Sequence, residues 1–113
     1  MADNKQYITQ AQENGNVLIS EDVIATIVMH AVNEVEGVAG LSNSPKKGWG
    51  RGIKITISQD DVLSIECNVL VIYGQSVFDV AKAVQAAIGN AVASMTGVTV
   101  NTVNVNVSGI IRK

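Results

Sequence analysis

Four groups of residues have the types and spacings from which chemistry is usually built. His30 is the single histidine, with Glu34 four positions on, a spacing that puts both on one face of a helix. A catalytic base or a zinc site needs convergent partners, and the chain offers no second histidine and one cysteine. His30 is therefore read as a partly exposed helix residue. Asp60 and Asp61 look like a carboxylate pair, but they stand between two strand patterns, where Asp serves a turn through its own backbone contacts. Cys67 is the sole cysteine, so no intramolecular disulfide exists. It falls on the apolar side of an alternating run and reads as a small core hydrophobe rather than a nucleophile. Lys46, Lys47, Trp49 and Arg51 form the one basic cluster, interleaved with the one tryptophan. Such a set suits contact with phosphates or lipid headgroups while the indole stacks or inserts, and it is the candidate docking loop. The competing reading is a solvated loop whose indole folds over the edge of the core. No catalytic, cofactor-binding or metal-ligating set is assigned.

The elements that would position these residues centre on positions 73–109. Val77, Val80, Ala81, Val84, Ile88, Ala91, Val92 and Met95 recur at the spacing of one helix face. Ser76 stands before them as N-cap, with Asp79 three residues on, and Gly97 closes the pattern as a left-handed C-cap would. Val103, Val105 and Val107 then alternate with Thr102, Asn104, Asn106 and Ser108 as a half-buried strand. Parity slips between Val100 and Val103, which predicts a bulge or a late strand start.

Upstream, residues 1–15 are polar and aperiodic and are expected to form a disordered tail, with a single domain over 16–113. Residues 16–19 make a brief strand. Ser20 caps a helix whose first turn carries Glu21 and Asp22 and whose stripe is Ile24, Ile27, Val28, Ala31, Val35 and Val38. Gly37 marks its expected end. Residues 41–52 form a loop with the only proline. Ile53, Ile55 and Ile57 alternate in one strand; Leu63, Ile65, Cys67, Val69 and Val71 alternate in the next. Both faces become apolar at Leu70 and Ile72, so that strand's far end lies centrally or under cover.

The expected order is β-α-β-β-α-β, an α/β (α+β) two-layer sandwich. Two helices would lie on one face of a small three- to four-stranded sheet, as in ferredoxin-like or KH-like arrangements. At 113 residues the chain buries roughly two-thirds of its unfolded surface and needs no metal or disulfide to fold. Apolar residues are 47% but aromatics 4%, so the core must be built from Val, Ile, Leu and Ala. A net charge of −2 gives no long-range pull toward nucleic acid or anionic membrane. There is no secretory signal pattern and no run of eighteen apolar residues, so the expected location is the cytoplasm. Gly37 to Gly40 (GVAG) matches the GxxG with which KH domains grip nucleic-acid backbone. Its middle residues are Val and Ala, however, and a helix C-cap explains Gly37 more simply.

Three segments together resemble the alkaline shock protein family, envelope stress response proteins of Gram-positive bacteria. They are ISEDVIATIVMHAVNEVEGVAGL, LVIYGQSVFDVAKAVQAAI and MTGVTVNTVNVNVSGI, in the family's order and spacing across residues 16–110. The segment between Gly40 and Ile53 is shorter than in many members, and the chain ends directly after the last strand. The resemblance implies a non-enzymatic, cytoplasmic protein with no cofactor or small-molecule substrate. It also implies self-association, a membrane-anchored protein partner that holds the chain at the inner face of the membrane, and a role in envelope stress or homeostasis. The uncharged strand positions Thr102, Asn104, Asn106 and Ser108 are the candidate self-association site if that strand is an edge, since nothing between Met95 and Ile111 guards it; the alternative is a strand inside the sheet, where no guard is required. The alternative function is a KH-like RNA-binding module.

Overall fold

The computed structural model describes residues 7–42 and 52–112. Its elements run β1 (Tyr7–Gln12), β2 (Gly15–Ser20), α1 (Glu21–Asn33), β3 (Val38–Leu41), β4 (Ile53–Ile57), β5 (Leu63–Ile72), α2 (Val77–Thr96) and β6 (Val100–Ile111). Two helices cover one face of a four-stranded sheet, and β1 and β2 form a separate antiparallel ribbon.

β5 is the centre of the sheet. One of its edges pairs in parallel with β6 from Leu63 to Ile72. The other edge is divided end to end: β4 pairs antiparallel with positions 63–67 and β3 with positions 69–71. Leu63, Ile65, Cys67, Val69 and Val71 point into the helical layer and are fully buried, while the alternate residues are half-exposed on the open face. The parity slip is real. The β5–β6 register skips Asn101 and shifts again at Ser108, and Asn101 Oδ1 accepts a hydrogen bond from the Leu63 N–H at 3.2 Å.

Both helix starts follow from their caps. Ser20 Oγ accepts from the Val23 N–H at 3.2 Å and Ser76 Oγ from the Asp79 N–H at 3.4 Å, and Glu21, Asp22 and Asp79 sit favourably in the first turns. α1 buries Ile24, Ile27, Val28, Ala31 and Val32; α2 buries Val80, Val84, Ile88 and Val92. Gly97 ends α2 at φ 76°, a left-handed conformation that suits glycine. Val77 and Met95, expected on the buried stripe, lie at its two ends and are exposed.

Three sequence expectations change. The stretch 1–15, expected to be disordered, contains β1 from Tyr7 onward, and residues 1–6 lie outside the described part. Ile8 is buried in the core, Gln10 Nε2 donates to Gly97 O at 3.0 Å, and the Thr9 N–H donates to Asp61 Oδ1 at 3.4 Å. A single buried isoleucine amid polar residues has no period to detect. The expected first strand (β2) pairs with β1 instead of joining the main sheet. Finally, α1 stops at Asn33, ahead of Gly37, and residues 38–41 form β3, so Val38 belongs to a strand. Gly37 has φ +96°, and a Cβ there would stand 2.8 Å from Val80 Cγ2. Glycine is needed to turn the chain under α2.

Cys67 lies mid-strand with no exposure, and burial pushes its thiol up to about 11 from an ordinary 9.0. The folded state therefore holds its proton more tightly than the unfolded chain, and that stability is full below about pH 9 and lost as pH rises toward 11. Urea melts of wild type and Cys67→Ala across this range should converge with rising pH, by on the order of 2 kcal/mol. The ribbon gives a second expectation. Ile8→Ala should cost about 2–4 kcal/mol in the same melts, whereas a detached tail would leave the midpoint unmoved.

Candidate interaction surface

The residues singled out for chemistry that fall among the described ones lie apart, on α1, in the β4–β5 turn and in the core. His30 is exposed on α1, four residues before an exposed Glu34. Asp61 belongs to the β4–β5 turn, at φ 61°, with its carboxylate taken by the ribbon. Among the described residues no three His, Cys, Asp or Glu side chains gather as a metal site. Glu21 has its carboxyl raised, first by partial burial and then by the neighbouring Asp22 charge, but it serves the start of α1. Lys46, Lys47, Trp49 and Arg51 lie outside the described residues. Their flanks are fixed: the Ser42 N–H donates to Asn68 O at 2.9 Å, and Gly52 is buried, so the segment leaves and rejoins the fold beside the middle of β5.

The strand residues Thr102, Asn104, Asn106 and Ser108 lie on β6. In register, Thr102 stands beside Ser64, Asn104 beside Glu66 and Asn106 beside Asn68. Asn106 Nδ2 donates to Asn68 Oδ1 at 3.1 Å, and Ser108 Oγ–H donates to Val69 O at 3.4 Å. All four are exposed and face away from the helices, since Val103, Val105 and Val107 between them pack against the core. Among the described residues β6 pairs with β5 and with no other strand. It is an edge strand twelve residues long, without a charge from Val100 to Ile111.

Two features of the surface have weak sequence signals. Between α1 and α2 runs a groove of about 620 Å³, lined on the α1 side by Thr26, Ile27, His30, Ala31, Glu34 and Val35 and on the α2 side by Ala87, Asn90, Ala91 and the exposed Met95. The alanines of α2 are what open it, and they could be found in the sequence as small residues beside the buried stripe. The ribbon also presents Leu18 at 61% and Val17 at 49% exposure, which a short apolar run cannot distinguish from a buried strand. GVAG, the possible nucleic-acid grip, lies at the turn into β3 and within it, with the Gly37 carbonyl accepting from the Ile72 N–H at 2.9 Å. It is not a loop between helices. Among the described residues no helix is long and apolar enough to cross a membrane.

Comparison with known proteins agrees with this architecture. A doubly substituted MamM CTD aligns with a TM-score of 0.59 at 14% identity, covering 79% of this chain and 82% of that one. A singly substituted form gives 0.57 at 14% identity, covering 79% and 96%. At such identity the likeness is one of fold. In sequence, YqhY of Bacillus subtilis is 31% identical over 105 residues, covering 85% of this chain and 77% of its own. Spy1535 of Streptococcus pyogenes is 30% identical over 103 residues, covering 86% and 80%. Residues 9–112 match the alkaline shock protein 23 family, described as having a cell envelope-related function. With nearly the whole domain matched, the chain belongs to that family.

Proposed function

We propose that this protein serves the cell envelope as a non-enzymatic scaffold, working by self-association and by docking to a membrane-anchored protein at the inner face of the membrane. One observation carries the reading: β6 is a long, uncharged edge with a single neighbour among the described residues. Natural edge strands of this length are usually short-circuited by lysine, proline, a covering loop or an inward charge; here two register shifts flank a regular middle that carries none of these. The basic segment of Lys46, Lys47, Trp49 and Arg51 is the point we assign to an anionic partner. Catalysis has little to work with in the described residues, since Cys67 is sealed in the core while His30 and Glu34 line the groove between the helices, and no three His, Cys, Asp or Glu side chains gather.

Replacing Asn104 and Asn106 together with lysine leaves the inward valines untouched and brings like charges together across any β6 contact. Sedimentation velocity over a concentration series should show wild-type assemblies and a folded, monomeric double variant. A wild type that stays monomeric throughout, or assemblies unchanged in the variant, refutes this interface. For the KH-like alternative, a net charge of −2 and GVAG placed at a strand lead us to expect no electrophoretic shift with single-stranded RNA at physiological salt. A shift lost in Lys46→Glu with Lys47→Glu would favour RNA binding instead.

A further inference from the structure

The edge of β6 is occupied at one point, by a side chain of its own helix. Gln85 Nε2 donates to Val103 O at 3.0 Å. A carbonyl turned toward β5 would be engaged in the ladder, so this contact places Val103 O on the outer side. Main-chain groups alternate along a strand, so the N–H and C=O of Val103, Val105 and Val107 face outward and those of Thr102, Asn104 and Asn106 face β5. The register shifts at Asn101 and Ser108 confine the regular stretch to residues 102–107. An antiparallel partner related by a two-fold axis must pair outward residues with outward residues. A dyad at Val105 engages all three outward residues within the regular stretch; one moved to Asn104 sets Val107 against Asn101, one moved to Asn106 sets Val103 against Gly109, and a dyad at Val103 or Val107 reaches further into a register shift.

We propose that β6 pairs antiparallel with β6 of a second copy about a two-fold axis through Val105, and that Gln85 is the latch released when the strands join. The inference rests on the self-association reading and gives it an address. Val103 then pairs with Val107 of the second copy and Val105 with its own counterpart beneath the helices, while Asn104 meets Asn106 on the open face. The incoming strand must be apolar toward a helix and uncharged toward solvent, and β6 has that pattern itself. Phe78 and Gly89 share Gln85's side of α2. Phe78 is 69% exposed, and open space surrounds the Cβ position at Gly89, so α2 of the second copy has room above the joined sheets.

Cysteine cross-linking reads the register directly, because buried Cys67 is silent to oxidant. Asn104→Cys mixed with Asn106→Cys should yield a disulfide between unlike variants. Their Cα atoms would be ~4.5 Å apart, within disulfide range, against ~8 Å for like pairs. Thr102→Cys alone should give none, its counterparts standing ~20 Å apart. Gln85→Ala should tighten association about tenfold, since pairing no longer breaks a hydrogen bond in each copy. A wild type that assembles without the mixed disulfide overturns the β6 register and leaves self-association standing. A Gln85→Ala protein that associates no more tightly overturns the latch. A wild type monomeric at every concentration removes both readings and leaves the edge to a strand of another chain.

Discussion

The fold depends on β5 being paired along both edges at once. Ten residues carry hydrogen bonds to three other strands, and five of them point under the helices with no exposure. Each fully buried branched side chain contributes about 1.5–3 kcal/mol, so this strand is the densest source of stability in the chain. Its position decides the rest. A parallel neighbour requires a crossover, and α2 is that crossover, laid over β5 and β6. The opposite edge is filled by two short strands, β3 and β4, which meet near Asn68. Ser42 and Gly52, the described residues on either side of the basic segment, therefore stand beside the middle of an edge rather than at a sheet corner.

Among the described residues the chemically capable groups are few. The one histidine is exposed on α1, the one cysteine is sealed in the core, and the turn aspartate is spent on the ribbon. The solvent face of the sheet carries the amides and hydroxyl of Asn68, Thr102, Asn104 and Asn106, with Glu66 beside Asn104 and with Leu70 and Ile72 at one end. The helical face carries an alanine-lined groove. These are the surfaces on which the proposed scaffold role rests; the family itself is described as having a cell envelope-related function.

Much of this was legible before any coordinates. The caps Ser20, Ser76 and Gly97 and the alternation in β4, β5 and β6 are local signals that appear where the pattern put them, and the faces of α1 and α2 do so except at Val38, Val77 and Met95 and with Val32 added. What escaped was set by tertiary context. Ile8 is one apolar residue in a polar stretch, and only its burial against the core makes Tyr7–Gln12 a strand. Residues 37–41 contain two glycines and look like a helix exit, yet the unpaired upper half of β5 recruits 38–41. The edge position of β6 was open in the sequence because strand order is a global property. The Gln85 contact links two elements whose own patterns say nothing of each other. The basic cluster was readable as composition alone.

The parallel crossover also has a consequence in time. β5 and β6 are separated by the whole of α2, so during synthesis the central strand emerges well before the neighbour that seals its second edge. At 5–20 residues per second, the 27 residues between them take about 1–5 s to appear. Throughout that interval β5 presents a ten-residue open edge rich in Val, Ile and Leu. Chains made side by side on one message would hold such edges at high local concentration, where β6 of one nascent chain can reach β5 of another. The arrangement that makes a stable sheet thus exposes the newborn protein to strand exchange, and the burden of preventing it falls on how quickly α2 docks.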